Sequence, residues 1–506
     1  MKGGRVLGGV GSGRGRGREN RRGGGIRGKA GLGIGGRAGR GAGVALALAV
    51  VFAVAVSFAA AAPGTPPATP PVAPTGSVAV LGGWLFDATG DERVRNPGVV
   101  VIDGTITRIG VEGPEALPPE VRVLELDDED TLVPGFFDLH AHYAVDLEGS
   151  GRVDDTAVYP SVFLANGVTS TFPAGEVDPY GMRELRLRIE AGRQVGPRLY
   201  NSGPYYGTWR AGWDREMSAD SIRAEVDYWV GLGTHGFKAK GISPEHLQAL
   251  IEAAHAHGRT VTGHLDSGFR GSVNPRDAIA MGIDRVEHFA GGDAMPPTRS
   301  AYASLVEMTP EMPEFAEQVQ RFIENGVFFN ATLTAYGYFG EQDPEFFDYF
   351  WPEMDLLAPG VREGVEARLP RRVNAQFEQI FRVKKGLLHR FFELGGGHLI
   401  TLGTDHPSWG QFFSGFGVHR EMHAMVAAGL PEAAVLRIAT INGARAMGVD
   451  DRLGTIEVGK LGDMVVVRGN PLEEIRATRN PPQVILGGVV HDAPALLESV
   501  RGRLGG

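Results

Sequence analysis

Residues 132–142 read Leu132-Val133-Pro134-Gly135-Phe136-Phe137-Asp138-Leu139-His140-Ala141-His142. An apolar run passes a Pro-Gly break and ends in two histidines two positions apart. On a strand, side chains two apart project to the same face, so both imidazoles point one way. Neutral imidazoles at that spacing can hold one divalent ion from one side. A His-x-His pair taken alone is as easily an incidental surface pair. The apolar run that delivers this one marks it as the end of a buried strand.

Downstream, the same texture repeats. Short apolar runs at 136–140, 170–172, 237–240, 260–264, 285–288, 327–331 and 399–403 read as strands. Amphipathic stretches lie between them, such as 244–257 with Leu247, Leu250, Ile251 and Ala254 on one face. Strand-then-helix over residues 134–451 predicts a parallel α/β sheet, either a (β/α)8 TIM barrel or an open doubly wound sheet. Periodicity does not separate the two. The polar residues favour the barrel, because four of the runs end in His or Lys and Asp405 lies just past a fifth. In a barrel such ends converge on one point.

The candidates for that point are His140, His142, His264, His288 and Asp405, with a lysine between them in sequence. A lone histidine at a strand end is more often structural, but His264 and His288 stand in register with the first pair. A carboxylate at Asp405 can ligate a metal, take a proton from water, or do both in turn. Lys238 and Lys240 share one face of their strand, so spacing does not choose between them. An unmodified lysine would repel a metal ion. The stretch Tyr205, Tyr206, Trp209 and Arg210 forms an aromatic and basic cluster. Tyr205, Tyr206 and Arg210 are candidate substrate contacts, with Arg210 suited to a carboxylate; an ordinary packed loop is the alternative. Residues 336–370, rich in aromatics and acids, read as a lid or as a plain core helix.

The ends of the chain differ from its middle. Val78–Leu81, Val99–Ile102 and 121–126 are strand candidates, and Asp103-Gly104 is a hairpin turn. Met464–Val467 and 484–490 look alike, the latter broken by Gly487-Gly488. Residues 77–133 and 452–506 are therefore expected to build one small β-sandwich from both chain ends. Residues 1–62 carry 11 Lys/Arg and one acid, hence +10, against −10 for the whole chain of 506 residues. The remainder stands at −20, which argues against nucleic acid as a partner. An uncharged apolar run from Val44 through Ala62 follows the basic leader. That pattern predicts a signal peptide, or a retained membrane anchor over 44–62, with the body exported to a periplasmic or extracellular location. Residues 63–76 read as a Pro-rich linker. The chain contains no cysteine, which excludes disulfides, thiolate nucleophiles and Cys-ligated zinc.

The string 132–142, the later His264, His288 and Asp405, and the stretches 439–446 and 453–463 together resemble the amidohydrolase superfamily, in its imidazolonepropionase- and prolidase-like branch. The resemblance covers roughly 77–490. It implies a (β/α)8 barrel carrying a small β-sandwich. It also implies two divalent metal ions, zinc first among candidates that include Mn, Fe and Co. By the same matching, His140 and His142 would hold one ion with Asp405, and His264 and His288 the other. Residues 233–238 match the family's fourth strand and favour Lys238 over Lys240 as a carbamylated lysine bridging the metals. A hydroxide between the ions would attack a peptide-like, N-acyl amino acid or cyclic amide C–N bond, with Asp405 as proton carrier. Two segments depart from the family pattern: 167–173 lacks an Arg-Asp pair, and Ala239-Lys240-Gly241-Ile242-Ser243 replaces a run of small residues. Both lie near the mouth, where substrate is chosen. The rival readings are a lactonase or deaminase on the same site, and an exported scaffold without catalysis.

Overall fold

The structure is a computed structural model that describes residues 69–111, 113–145, 153–341, 351–367, 372–407 and 413–506. The basic leader, the apolar run 44–62 and residues 63–68 of the 63–76 linker lie outside these residues, as do Phe346, Phe347, Tyr349 and Phe350 of the 336–370 segment. Among the described residues no helix is long and apolar enough to cross a membrane.

Eight parallel strands form the central layer: β1 (Phe136–Ala141), β2 (Val168–Pro173), β3 (Arg198–Leu199), β4 (Gly236–Lys240), β5 (Thr260–His264), β6 (Arg285–Glu287), β7 (Phe328–Asn330) and β8 (Ile400–Thr401). β1 pairs with β2 and β2 with β3. β4 through β8 pair in sequence order. Two seams join these sets. His235 N donates to Asn201 O at 2.8 Å between β3 and β4. Leu139 N donates to Leu402 O at 3.0 Å and Asp405 N to His140 O at 2.9 Å, which bring the β8 end onto β1. An open sheet has two free edges; here both are used, so the sheet is a barrel.

Alternation along the strands separates inside from outside. Phe237, Val261, Val286, Phe329 and Ile400 belong to the main apolar core, between the barrel and its helices. Their neighbours Lys238, Thr262, Glu287, Asn330 and Thr401 share the opposite, inner face and are all buried. The helix Pro244–Ala256 shows why the outer layer forms where it does. Ser243 caps it by accepting from His246 N, proline occupies its first turn, and Leu247, Leu250, Ile251 and Ala254 are buried.

Both chain ends build the sandwich. Met464–Val467 runs antiparallel to Thr131–Pro134, the strand that leads directly into β1. That six-stranded sheet faces a four-stranded one containing Val78–Leu81 and Val99–Ile102. Val78, Val80, Val99, Val101, Leu132, Met464, Val466 and Ile485 fill the space between them. Asp103 and Gly104 both adopt positive φ between Ile102 and Thr105, the two-residue hairpin their sequence suggests.

Candidate metal centre

His140 stands at the end of β1 and His142 just beyond it, both buried at the carboxyl end of the barrel. Asp405 follows β8. Its Oδ1 lies 2.9 Å from His142 Nε2 and 3.2 Å from His140 Nε2. These three ligand atoms fall within 4.8 Å of one another. His288, after β6, packs its ring 4.9 Å from that of His140 and 4.3 Å from that of His264 at the end of β5. Lys238, on the inner face of β4, faces the same centre. The six residues singled out as metal ligands thus meet at one place.

Burial pushes the imidazoles of His140, His264 and His288 well below their ordinary pKa, and the nearby charge of Lys238 pushes the same way. They are neutral at pH 7, the state that binds a metal. Burial alone would raise the Asp405 carboxyl. Electrostatic attraction to the adjacent His140 ring and hydrogen bonds from His140 and His142 outweigh it and hold the group well below the usual carboxylate range. An ionised carboxylate beside neutral imidazoles is a donor set suited to zinc or another borderline divalent ion. Two buried ring nitrogens, His140 Nδ1 and His288 Nε2, have no hydrogen-bond partner among the described residues. Orphaned nitrogens aimed into a histidine cluster fit a metal that takes their lone pairs.

The tautomer of His288 follows from its neighbour. Thr332 Oγ1 donates to Ala331 O at 2.8 Å, which uses its one hydrogen. The same oxygen lies 2.7 Å from His288 Nδ1 and can only accept there. Nδ1 therefore carries the proton and Nε2 presents its lone pair to the centre.

Glu287 belongs to the site and was not among the sequence candidates. It is buried at the end of β6, accepts from Thr262 Oγ1 at 2.9 Å, and lies against Lys238 Nζ. Its Oε1 is 3.5 Å from His140 Nδ1, and His140, Glu287 and His288 form a second possible ligand group. Alternation would send Glu287 and His288 to opposite faces. The strand ends at Glu287, and His288 takes φ 65°, which turns its ring back to the same centre. Asp405 (φ 54°) and Thr332 (φ 46°) share this left-handed backbone. Strain of this kind at three residues of one site is the mark of a constrained functional centre. The signal for Glu287 was present in sequence, two positions after Arg285 on one face, but it was masked by the histidine beside it.

Asp138 has a supporting place. It is buried below His140, accepts from Thr404 N at 3.2 Å and Thr404 Oγ1 at 2.8 Å, and so ties β1 to the loop that carries Asp405.

The three proposed substrate contacts fare differently. Tyr205 and Tyr206 form a short strand beside β4, with Tyr205 in register with Lys238 and Tyr206 with Ala239. Tyr205 thus shares the inner face. Tyr206 is packed edge-on to Phe237 on the outer side, which is a core position. Arg210 Nη1 donates to Glu225 Oε1 at 2.6 Å, so its charge is matched within the chain. Tyr336 lies in the buried helix Leu333–Gly340, which makes that part of the 336–370 segment core.

Fold and site together define a class: a (β/α)8 barrel with a histidine–carboxylate cluster that could hold a metal at the carboxyl ends of its strands. The chain belongs to the amidohydrolase family, whose profile matches residues 131–491. Among curated relatives, adenine deaminase 1 of Jannaschia sp. (strain CCS1) is 24% identical over 238 residues, 45% of this chain and 39% of its own. The 5-methylthioadenosine/S-adenosylhomocysteine deaminase of Desulforudis audaxviator (strain MP104C) is 54% identical over 41 residues, 8% of this chain and 10% of its own. The chain therefore matches well under half the length of either curated relative. A solved Xaa-Pro dipeptidase with bound methionine superposes with a TM-score of 0.61, at 21% identity, over 82% of this chain and 100% of that one. At that identity the likeness is one of fold.

Proposed function

We propose that this chain is a metal-dependent hydrolase of carbon–nitrogen bonds in a peptide-like, N-acyl amino acid or cyclic amide. The observation that carries the reading is the convergence of neutral buried imidazoles on the ionised Asp405, with ring nitrogens of His140 and His288 left without a hydrogen bond among the described residues. His140, His142 and Asp405 would hold one ion, and His264 and His288 the other, with zinc the first candidate. Divalent ions there would supply Lewis acidity to the scissile carbonyl and to water. Asp405, ionised at neutral pH and next to both leading histidines, is the group that would take a proton from the attacking water and return it to the leaving nitrogen.

Lys238 completes the proposal as a carbamate. The ammonium would first lose one proton, and the neutral amine would then add to carbon dioxide and release a second, turning a buried cation into a carboxylate ligand. As an unmodified ammonium it is matched by Glu287; its charge also disfavours any cation near His140, His264 and His288. Carbamate NMR in isotope-labelled bicarbonate, and rescue of Lys238→Ala by short carboxylic acids, test this step. Export of the body, read from the basic leader and the run 44–62, is a separate proposal tested by cell fractionation.

Purified protein is expected to hold about two equivalents of divalent metal and to hydrolyse members of a dipeptide and N-acyl amino acid panel, with activity lost on chelation. Protein that takes up no metal would sink the reading. Release of ammonia from aminopurines with no amide turnover would move it to the deaminases, the activity that the names of the two curated relatives carry.

A further inference from the structure

Lys240 is the last residue of β4. It lies on the inner face two residues above Lys238, and its register partner on β5 is His264. Lys238, His140, His142, His288 and Asp405 are buried, whereas Lys240 and His264 are only half-buried. The cup is therefore open on the side of these two residues.

Its orientation is built. Lys240 Nζ rests 3.8 Å from the centroid of the Trp209 ring, a cation–π contact on a half-exposed indole. The loop that carries Trp209 is clamped to the strand end. Thr208 N donates to Gly241 O at 3.0 Å. A Cβ on Gly207 would meet Lys240 O at 2.2 Å, and one on Gly241 would meet Thr208 Oγ1 at 2.3 Å, so both glycines permit the close approach. Arg210, next to Trp209, is turned to Glu225. The body of the protein is strongly acidic, and its overall field repels anions, so a negatively charged substrate needs a local cation at the mouth.

We infer that Lys240, held by Trp209, recognises a carboxylate of the substrate and makes the enzyme selective for amides bearing a free acid close to the scissile bond. The inference rests on the hydrolase reading above. Two strand positions place Lys240 about 6.6 Å beyond Lys238, roughly the span of two extended residues. The acid therefore belongs one to two residues from the bond that breaks, as in a dipeptide or an N-acyl amino acid. Neutral amides and ureas lack the group this cation would read.

The test pairs each N-acyl amino acid with its carboxamide, using the metal-loaded full chain. Wild type is expected to favour the acid. Lys240→Met should raise KM for the acid about tenfold, leave kcat nearly unchanged and leave the carboxamide unaffected. Lys240→Arg should restore most of the preference. A preference that survives Lys240→Met, or one lost instead in Arg210→Met, overturns the inference. So does wild-type preference for the carboxamide. Binding is read separately by titrating a free N-acetyl amino acid against tryptophan fluorescence, with Trp209→Phe as reference. A Lys240-dependent signal without turnover of any amide leaves the carboxylate site standing and counts against the hydrolase reading; no Lys240-dependent signal and no preference counts against the site.

Discussion

His288 Nδ1 lies 2.7 Å from the Thr332 hydroxyl, and that hydroxyl has already spent its hydrogen on Ala331 O. One threonine after β7 thus sets the tautomer of a histidine after β6. The pair is a support of the kind that tunes metal sites from behind their ligands.

Thr332→Val removes the acceptor while keeping the side chain's shape. Metal affinity is expected to fall about 10- to 100-fold, with one of two ions lost first. Competition with a chelator measures this; unchanged affinity for both ions would show that the contact does not orient His288.

Asp405→Asn keeps the volume of the side chain and removes its negative charge. Turnover should drop by about two to four orders of magnitude, with little change in the thermal midpoint of the metal-loaded protein. Full activity in this variant would strip Asp405 of its role in proton transfer.

Burial, with help from nearby arginine charge, lowers the imidazoles of His235, His406 and His419 to about 3. In the unfolded chain they titrate near about 6.5. Their contribution to stability is present above that value and is lost as pH falls towards their folded values. Asp138, raised by burial to about 6, and Glu421, raised to about 7, act in the opposite sense. They add stability at low pH that is lost as pH rises through those values. The histidines are more numerous, since His140, His264 and His288 shift the same way. The melting temperature of metal-free protein should therefore fall between about pH 7 and about pH 4. A flat profile would contradict this balance.

Arg198 on β3 forms a buried bidentate pair with Asp463, at 2.7 and 3.0 Å, and joins the barrel to the entry of the strand Met464–Val467. Asp463 also accepts from Gly487 N at 2.8 Å. Arg198→Met leaves that carboxylate buried without its partner and should cost about 3–5 kcal/mol. Denaturant unfolding checks the value. A loss below about 1 kcal/mol, the range of an exposed pair, would mean that water replaces the arginine.

Much of the site was legible in sequence because its signals are local. His140 and His142 are two apart at the end of one apolar run, and His264 and Asp405 end or follow others. Period-two alternation and apolar runs need no knowledge of the partner strand. β3 escaped notice because only Arg198 and Leu199 are paired, too short a run to show alternation. Glu287 escaped because its partners Lys238 and Thr262 are brought to it by neighbouring strands.

By itself, then, the sequence determined the alternation of most strands and helices, the placing of His140, His264 and Asp405 at or just past strand ends, and the expectation of one sandwich built from both chain ends. The tertiary structure alone decided three things: that the sheet closes, through Leu139 on Leu402 and His235 on Asn201; that His288 turns back beside Glu287; and that Arg210 pairs with Glu225. The reason is physical. Periodicity is a property of a few consecutive residues, whereas closure, backbone turns at strand ends and the pairing of charges depend on contacts between residues far apart in the chain.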